Sequence, residues 1–305
     1  MHGCLVNRPE NGMTKKVWLE VALNGPWGRQ RQPRIPIEPS EIIAEGIAAA
    51  EAGAAIIHVH AYDPATGKQN DDPEIYAEIF EGIRARTDAL VYPTIPLAGS
   101  SLSGTANTAS DRFRHVEFLA KRGLIELTVV DPGSVNFSRT DVQPGSDSGF
   151  VYLNPEDHIL EGLAVAAAHG LTPSYAIYEP GFTRTGAAYA ARFPRLRCPI
   201  YRFMFSDAFA WGFPPRKYAL EAHLSLLREI APGAPWMAAG LGVDLRHLIP
   251  EVIASGGHVR VGLEDAPFGC EQSNASLTEE AVRIIRAAGG EPATPADVRR
   301  ALAEL

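Results

Sequence analysis

Short apolar runs alternate with segments of helical period along the whole chain. The strand candidates are VWLEVAL (17–23), AIIHVH (55–60), LVYPTI (90–95), IELTVV (125–130), PSYAIY (173–178), IYRFMF (200–205), WMAAGL (236–241) and HVRVG (258–262). Helix candidates lie between and after them, near 40–52, 73–86, 109–122, 155–169, 184–193, 215–230, 245–255 and 276–288. Ser40 before Glu41, Asn154-Pro155-Glu156 and Ser276 mark three of the helix starts. Strict strand–helix alternation predicts a parallel sheet with helical crossovers, and eight units are the number that closes a (β/α)8 TIM barrel. A doubly wound open sheet is the alternative, but no GxGxxG turn follows the first strand. A further C-terminal helix near 295–304, opened by Thr294-Pro295, is expected on the outside. No linker, low-complexity tract or repeat interrupts the pattern. The predicted organisation is an N-terminal extension, 1–16, and one catalytic barrel domain, 17–305.

Parity along three strands places their polar residues. In AIIHVH, His58 and His60 share one face, and Ile57 and Val59 take the other. In VWLEVALN, Glu20 and Asn24 oppose Val17, Leu19, Val21 and Leu23. In HVRVGLED, Arg260 and Glu264 oppose Val259, Val261 and Leu263. The outer face of a barrel strand packs on helices and is apolar, so these polar residues belong inside. Strands eight, one and two are neighbours in a closed barrel. Their polar ends therefore converge at the C-terminal face, where barrel active sites sit.

Composition narrows the classes. The net charge of −8 argues against non-specific nucleic-acid binding, which depends on neutralising phosphates. No run of apolar residues is long enough to span a membrane, and MHGCLVNRPENGMTKK has no apolar core, so no membrane association and no signal peptide are expected. Cys4, Cys198 and Cys270 are odd in number and far apart, which does not read as a disulfide framework. A cytoplasmic location is expected on that ground.

Two imidazoles at i and i+2 on a strand end project to one side and can share one ion. With Glu264 they form a two-histidine, one-carboxylate set with an open position, as in catalytic zinc sites. An H-x-H pair alone also reads as a loop cap beside a buried histidine; the parity-matched Glu264 is what favours metal. The same ligands also suit non-haem iron. Arg260 and Asp265 place a cation and a second carboxylate at the same strand end. The aspartate is expected to be held ionised and oriented as a base, with a structural ion pair as the other reading.

The segments HVHAYDPATGK, YPTIPLAG, VDPGSVNF, YEPGF, AAGLG and GGHVRVGLED occur in this order from about Val17 to Leu302. Together they resemble the β-keto acid cleavage enzymes, the family of 3-keto-5-aminohexanoate cleavage enzyme. The resemblance implies a TIM barrel with one divalent metal per chain, usually zinc, on His58, His60 and Glu264. It implies a reaction in which a β-keto acid and the co-substrate acetyl-CoA yield acetoacetate and a new acyl-CoA. Arg260 and Asp265 match the family's dyad, with Asp265 expected to take a proton from the acetyl group of acetyl-CoA. Thr94 and Thr128 match hydroxyls expected to hold carboxylate or oxyanion. The resemblance also implies a homo-oligomer, often a tetramer.

The chain departs from that pattern after the first strand. Trp27, near Asn24, stands where the family's type enzyme has a glutamate for its amino substrate, so that substrate is not expected. Trp27 offers an apolar wall or a cation–π face. Asp131, in Asp131-Pro132-Gly133-Ser134, either meets a polar substrate group or caps a turn. Asn24, Trp27 and Asp131 are the candidate substrate contacts. The aromatic stretch 205–213 suits an acyl pocket, an oligomer contact or loop packing. Arg29, Arg31 and Arg34 form a basic loop, either solvated or facing CoA phosphates or a carboxylate. A metal-dependent aldolase or lyase on the same barrel, or a non-catalytic metal-binding barrel, remain open alternatives.

Overall fold

A computed structural model describes residues 15–98, 108–140 and 149–305. The barrel strands are β1 (Leu19–Ala22), β2 (Ile56–Val59), β3 (Leu90–Pro93), β4 (Leu127–Val129), β5 (Thr172–Ile177), β6 (Ile200–Phe205), β7 (Trp236–Gly240) and β8 (His258–Val261). All are parallel, and the ladder runs β3-β2-β1-β8-β7-β6-β5-β4. The ends of that ladder, β3 and β4, pack side by side and bring the sheet almost to closure. The expected (β/α)8 barrel is therefore the observed architecture. Every residue in these strands is buried except His258, which is half-buried, as expected of a sheet enclosed by helices on one face and by itself on the other.

The helices are α1 (Pro39–Glu51), α2 (Pro73–Arg84), α3 (Ala109–Lys121), α4 (Glu156–His169), α5 (Pro180–Ala190), α6 (Lys217–Ile230), α7 (Ile249–Ala254), α8 (Asn274–Ala287) and α9 (Pro295–Ala303). Several starts differ from expectation by a turn or less, and capping chemistry explains them. At α1 the Glu41 carboxylate accepts the N–H groups of Ile37 and Glu38, moving the start ahead of Ser40. Pro155 stands before α4 with extended ψ rather than inside it. Ser273, not Ser276, caps α8 by accepting the N–H of Ser276. α5 opens four residues earlier than 184, at Pro180. The segment 245–255 splits into a 3-10 turn, Arg246–Leu248, followed by α7.

The N-terminal end of the barrel is plugged. Trp18 stacks on His258 with ring centroids 4.1 Å apart, and its backbone N–H donates to His258 Nδ1. Residues 1–14 of the expected N-terminal extension lie outside the described residues. Its last two, Lys15 and Lys16, begin a strand, Lys15–Val17, that pairs in parallel with Gly290–Pro292. The expected C-terminal helix is α9; Arg299 on it holds Glu126 below β4 with a 2.7 Å contact. Cys198 is disulfide-bonded while Cys270 is free, so the cysteines do not carry the expected argument for a reducing compartment. Among the described residues no helix is long and apolar enough to cross a membrane.

Candidate metal centre and active site

Register brings the polar positions together. Arg260 lies beside Glu20 across the β8–β1 ladder, Ala22 beside His58 across β1–β2, and His58 beside Tyr92 across β2–β3. Side chains level with one another in a parallel sheet point the same way, so Arg260 and Glu20, and two residues further along Ala22, His58 and Tyr92, all face inward in successive levels. Gly262 lets the chain leave β8 without collision: its φ is 131°, and a Cβ there would lie 2.2 Å from the Ala22 carbonyl oxygen. Gly25 opposite has φ 65°, and a Cβ on it would strike the Glu264 side chain at 2.5 Å. The two glycines allow Glu264 to fold inward over the mouth.

His58, His60 and Glu264 meet as the sequence predicts. Their ligand atoms lie within 4.8 Å of one another. Glu264 Oε2 is 3.6 Å from His58 Nε2 and 3.5 Å from His60 Nε2. A tetrahedral ion with bonds of about 2.1 Å separates its ligands by about 3.4 Å, close to these spacings. Glu264 Oε2 and His60 Nε2 are buried without hydrogen-bond partners, a costly arrangement unless a cation takes both lone pairs. The surroundings keep them ready. His60 Nδ1 is 3.0 Å from Gln69 Oε1, which selects the tautomer that leaves Nε2 free. Arg260 holds Glu264 Oε1 at 2.9 Å, leaving Oε2 to face the histidines. Burial alone would raise the Glu264 pKa, but Arg260, His60 and His58 outweigh it and hold it well below the usual carboxylate range. Burial pushes His58 well below the ordinary histidine value, toward the neutral form that ligates metal. The donor set therefore fits a divalent cation.

One guanidinium links this centre to the second carboxylate. Arg260 donates to Asp265 through Nε and at 2.7 Å through Nη2, and reaches Glu20 Oε1 at 3.3 Å through Nη1. Glu20 Oε1 also accepts from the Tyr92 hydroxyl at 2.6 Å. The expected ionised state of Asp265 beside Arg260 holds at neutral pH, but with a pKa moved up rather than down. Burial, reinforced by Glu264 and Glu20, outweighs Arg260 and raises its pKa to about 6.

The metal ligands line a cavity that opens to solvent at the barrel mouth. Thr94, Trp27 and Asp131 also line it. The Trp27 indole donates to the Glu264 carbonyl at 2.8 Å. Asp131 accepts from Tyr152 Oη at 2.6 Å and from the Ala176 N–H at 2.9 Å, so it holds structure as well as facing the cavity. Arg260 and Asp265 line a neighbouring cavity with Val243, Phe268 and Cys270.

Two further predicted site residues, Thr128 and Asn24, line neither cavity. Thr128 shares parity with Val130, which lies under Gly162 of α4, so Thr128 faces the helix layer; its neighbours Val129 and Asp131 face inward. Asn24 spends its amide on backbone, accepting from Gly25 and His60 and donating to Pro36 and His60. Within 205–213, Phe205, Phe209 and Trp211 are buried, so they pack the loop rather than offer an interface. Arg29 pairs with Glu41, while Arg31 and Arg34 are exposed. Sequence reasoning missed Gln69 and Arg202. Gln69 gave no signal, since it comes from a loop hairpin, Tyr62–Asp63 against Lys68–Gln69. Arg202 was legible as the lone charge within IYRFMF.

A family model described as beta-keto acid cleavage enzyme matches residues 16–303. The 3-dehydrocarnitine:acetyl-CoA trimethylamine transferase of Rhizobium meliloti (strain 1021) is 26% identical, covering 95% of this chain and 97% of its own. The 3-keto-5-aminohexanoate cleavage enzyme of Fusobacterium nucleatum subsp. nucleatum is 27% identical, covering 95% and 98%. The 3-oxoadipate:acetyl-CoA acetyltransferase of Cupriavidus necator is 26% identical, covering 95% of each. Among solved structures, the ternary complex of ObcA with a C4-CoA adduct and oxalate superposes with a TM-score of 0.70 at 17% identity, covering 89% of this chain and 68% of that one. That likeness concerns the fold alone.

Proposed function

This chain belongs to the β-keto acid cleavage enzyme family, and on that premise we propose that it condenses a β-keto acid with acetyl-CoA, releasing acetoacetate and a new acyl-CoA. The observation that carries the reading is Arg260, whose one guanidinium grips both the metal-facing Glu264 and the carboxylate of Asp265.

His58, His60 and Glu264 would hold the metal, which we take to be zinc. Bound there, it supplies Lewis acidity, polarising a carbonyl oxygen and favouring negative charge on it. Asp265 is the base. Atom balance decides which proton it takes. An enolate made from acetyl-CoA and added to the ketone would return acetate on cleavage, not acetoacetate. Asp265 therefore takes the proton from C2 of the β-keto acid, not from the acetyl group as expected above. C2 attacks the thioester carbonyl and CoA thiolate leaves. The thiolate adds to the original keto carbon, and the C2–C3 bond breaks with its electrons returning to C2. Asp265 gives its proton back to C2, freeing acetoacetate, while the substrate's side chain departs on CoA. Arg260 keeps the carboxylate oriented in both directions of proton transfer. Thr94 lies at the cavity wall to hydrogen-bond the substrate's oxygens. Trp27, Phe137, Tyr178 and Leu241 form the wall that meets the side chain.

The relatives' names span ammonium, amino and carboxylate side chains, so the test is a panel of β-keto acids of those kinds and of simple alkyl type. Each is incubated with acetyl-CoA and the metal-loaded enzyme. Acetoacetate and a new CoA ester supports the reading. Cleavage that proceeds without acetyl-CoA supports the aldolase or lyase instead, and a zinc-binding chain inert to the whole panel supports a non-catalytic barrel.

A further inference from the structure

The floor of the metal cavity holds a cation that the reaction above does not use. Arg202 on β6 is 3% exposed and lines the cavity beside His58, Thr94, Val129 and Ala176. Its Nε is buried without a hydrogen-bond partner. Its Nη2 has only a long bond to the Ser174 carbonyl, at 3.4 Å. The nearest carboxylate, Asp131, stays 3.9 Å away because Tyr152 and Ala176 already hold both of its oxygens. Burial works against the charge, but Tyr92, Glu20 and Asp131 outweigh it, and Arg202 stays protonated. A buried guanidinium with so few hydrogen-bond partners favours an incoming anion. Its planar fork matches a carboxylate with two parallel hydrogen bonds. Thr128, expected to help hold the substrate's carboxylate, faces the helices instead.

We propose that Arg202 binds the carboxylate of the β-keto acid, so that the acid enters carboxylate-first and its keto group stops at the level of His58, His60 and Glu264. This rests on the β-keto acid reading above. It gives Arg202 a substrate-binding role and leaves proton transfer to Asp265.

The test uses zinc-loaded enzyme and two probes measured by calorimetric titration. Acetoacetate carries the carboxylate; acetylacetone keeps the paired carbonyls and replaces the carboxylate by a methyl ketone. Arg202→Met is expected to weaken acetoacetate about 30-fold or more while acetylacetone changes by less than about threefold. Arg202→Lys, which keeps the charge and the fold but loses the fork, is expected to lose about tenfold for acetoacetate only. Zinc content and near-ultraviolet circular dichroism report that the variants are folded. If Arg202→Met does not fold, the lysine variant decides alone. Equal weakening of both probes, or no selective loss of acetoacetate, overturns the assignment of Arg202. Wild-type enzyme that binds acetylacetone but not acetoacetate overturns the β-keto acid reading itself.

Discussion

The side-chain amide of Asn24 brackets the backbone of His60. Its Oδ1 accepts the His60 N–H at 3.0 Å, and its Nδ2 donates to the His60 carbonyl at 2.8 Å. A residue just beyond β1 thereby fixes the position of a metal ligand just beyond β2. Asn24→Asp replaces the donating nitrogen with an acceptor that faces two carbonyl oxygens, those of Pro36 and His60. Zinc affinity, read by competition with a chelator, is expected to fall about 10- to 100-fold. Unchanged affinity would mean that Asn24 serves only the loop.

Asp265→Asn keeps the shape of the side chain and removes its capacity to take a proton. Turnover is expected to fall by a factor of about 10² to 10⁴, with zinc content unchanged. Metal analysis of the purified variant and steady-state rates provide the check. Normal turnover would remove Asp265 from the role of base.

The two threonines separate cleanly by parity. Thr94 faces the cavity and Thr128 faces the helix layer. Thr128→Val is expected to leave kcat/KM within about twofold, whereas Thr94→Val is expected to lower it about tenfold, the effect of losing one substrate hydrogen bond. Equal losses in the two variants would contradict the placement of β4.

Stability should fall in mild acid because of His223. It is 0% exposed, stacked on Phe203, and neither ring nitrogen has a partner. Burial lowers its pKa from 6.5 to about 4. Its neutral form therefore belongs to the fold, while the unfolded chain takes a proton below about pH 6.5. The contribution is complete above that value and is lost as pH falls toward about 4. Between pH 7 and 4.5 the loss from this one residue is about 2–3 kcal/mol. His223→Phe should remove that part of the pH dependence in urea unfolding; an identical profile would contradict it.

The barrel was legible because alternation of strands and helices is written in short apolar runs, and closure follows from their number. The metal ligands were legible because parity is a property of the strand itself: His58 and His60 had to share a face, and Glu264 follows the inward Arg260 just past the end of β8, where the Gly262 turn still brings it inward. Thr128 was misplaced because its role came from a motif match, while the parity of IELTVV already paired it with Val130 and Glu126 on the outer face. Asn24 was identified as inward, but its four backbone partners come from two separate loops, and no local pattern predicts them. Arg202 stood out as a charge inside an apolar strand, yet its missing partner is visible only in three dimensions. The Asp265 pKa required knowing that its carboxyl is buried and that Glu264 and Glu20 stand near it beside Arg260.

The account turns on which carbon atoms become acetoacetate at this site. Zinc-loaded enzyme is supplied with acetyl-CoA carrying ¹³C at the acetyl carbonyl, together with the β-keto acid the panel identifies, and the products are read by ¹³C NMR. The account predicts label at C3 of acetoacetate, no label in the new acyl-CoA, and no reaction after the metal is stripped until zinc is restored. Label retained on CoA, or acetoacetate formed at the full rate by metal-free enzyme, would contradict it.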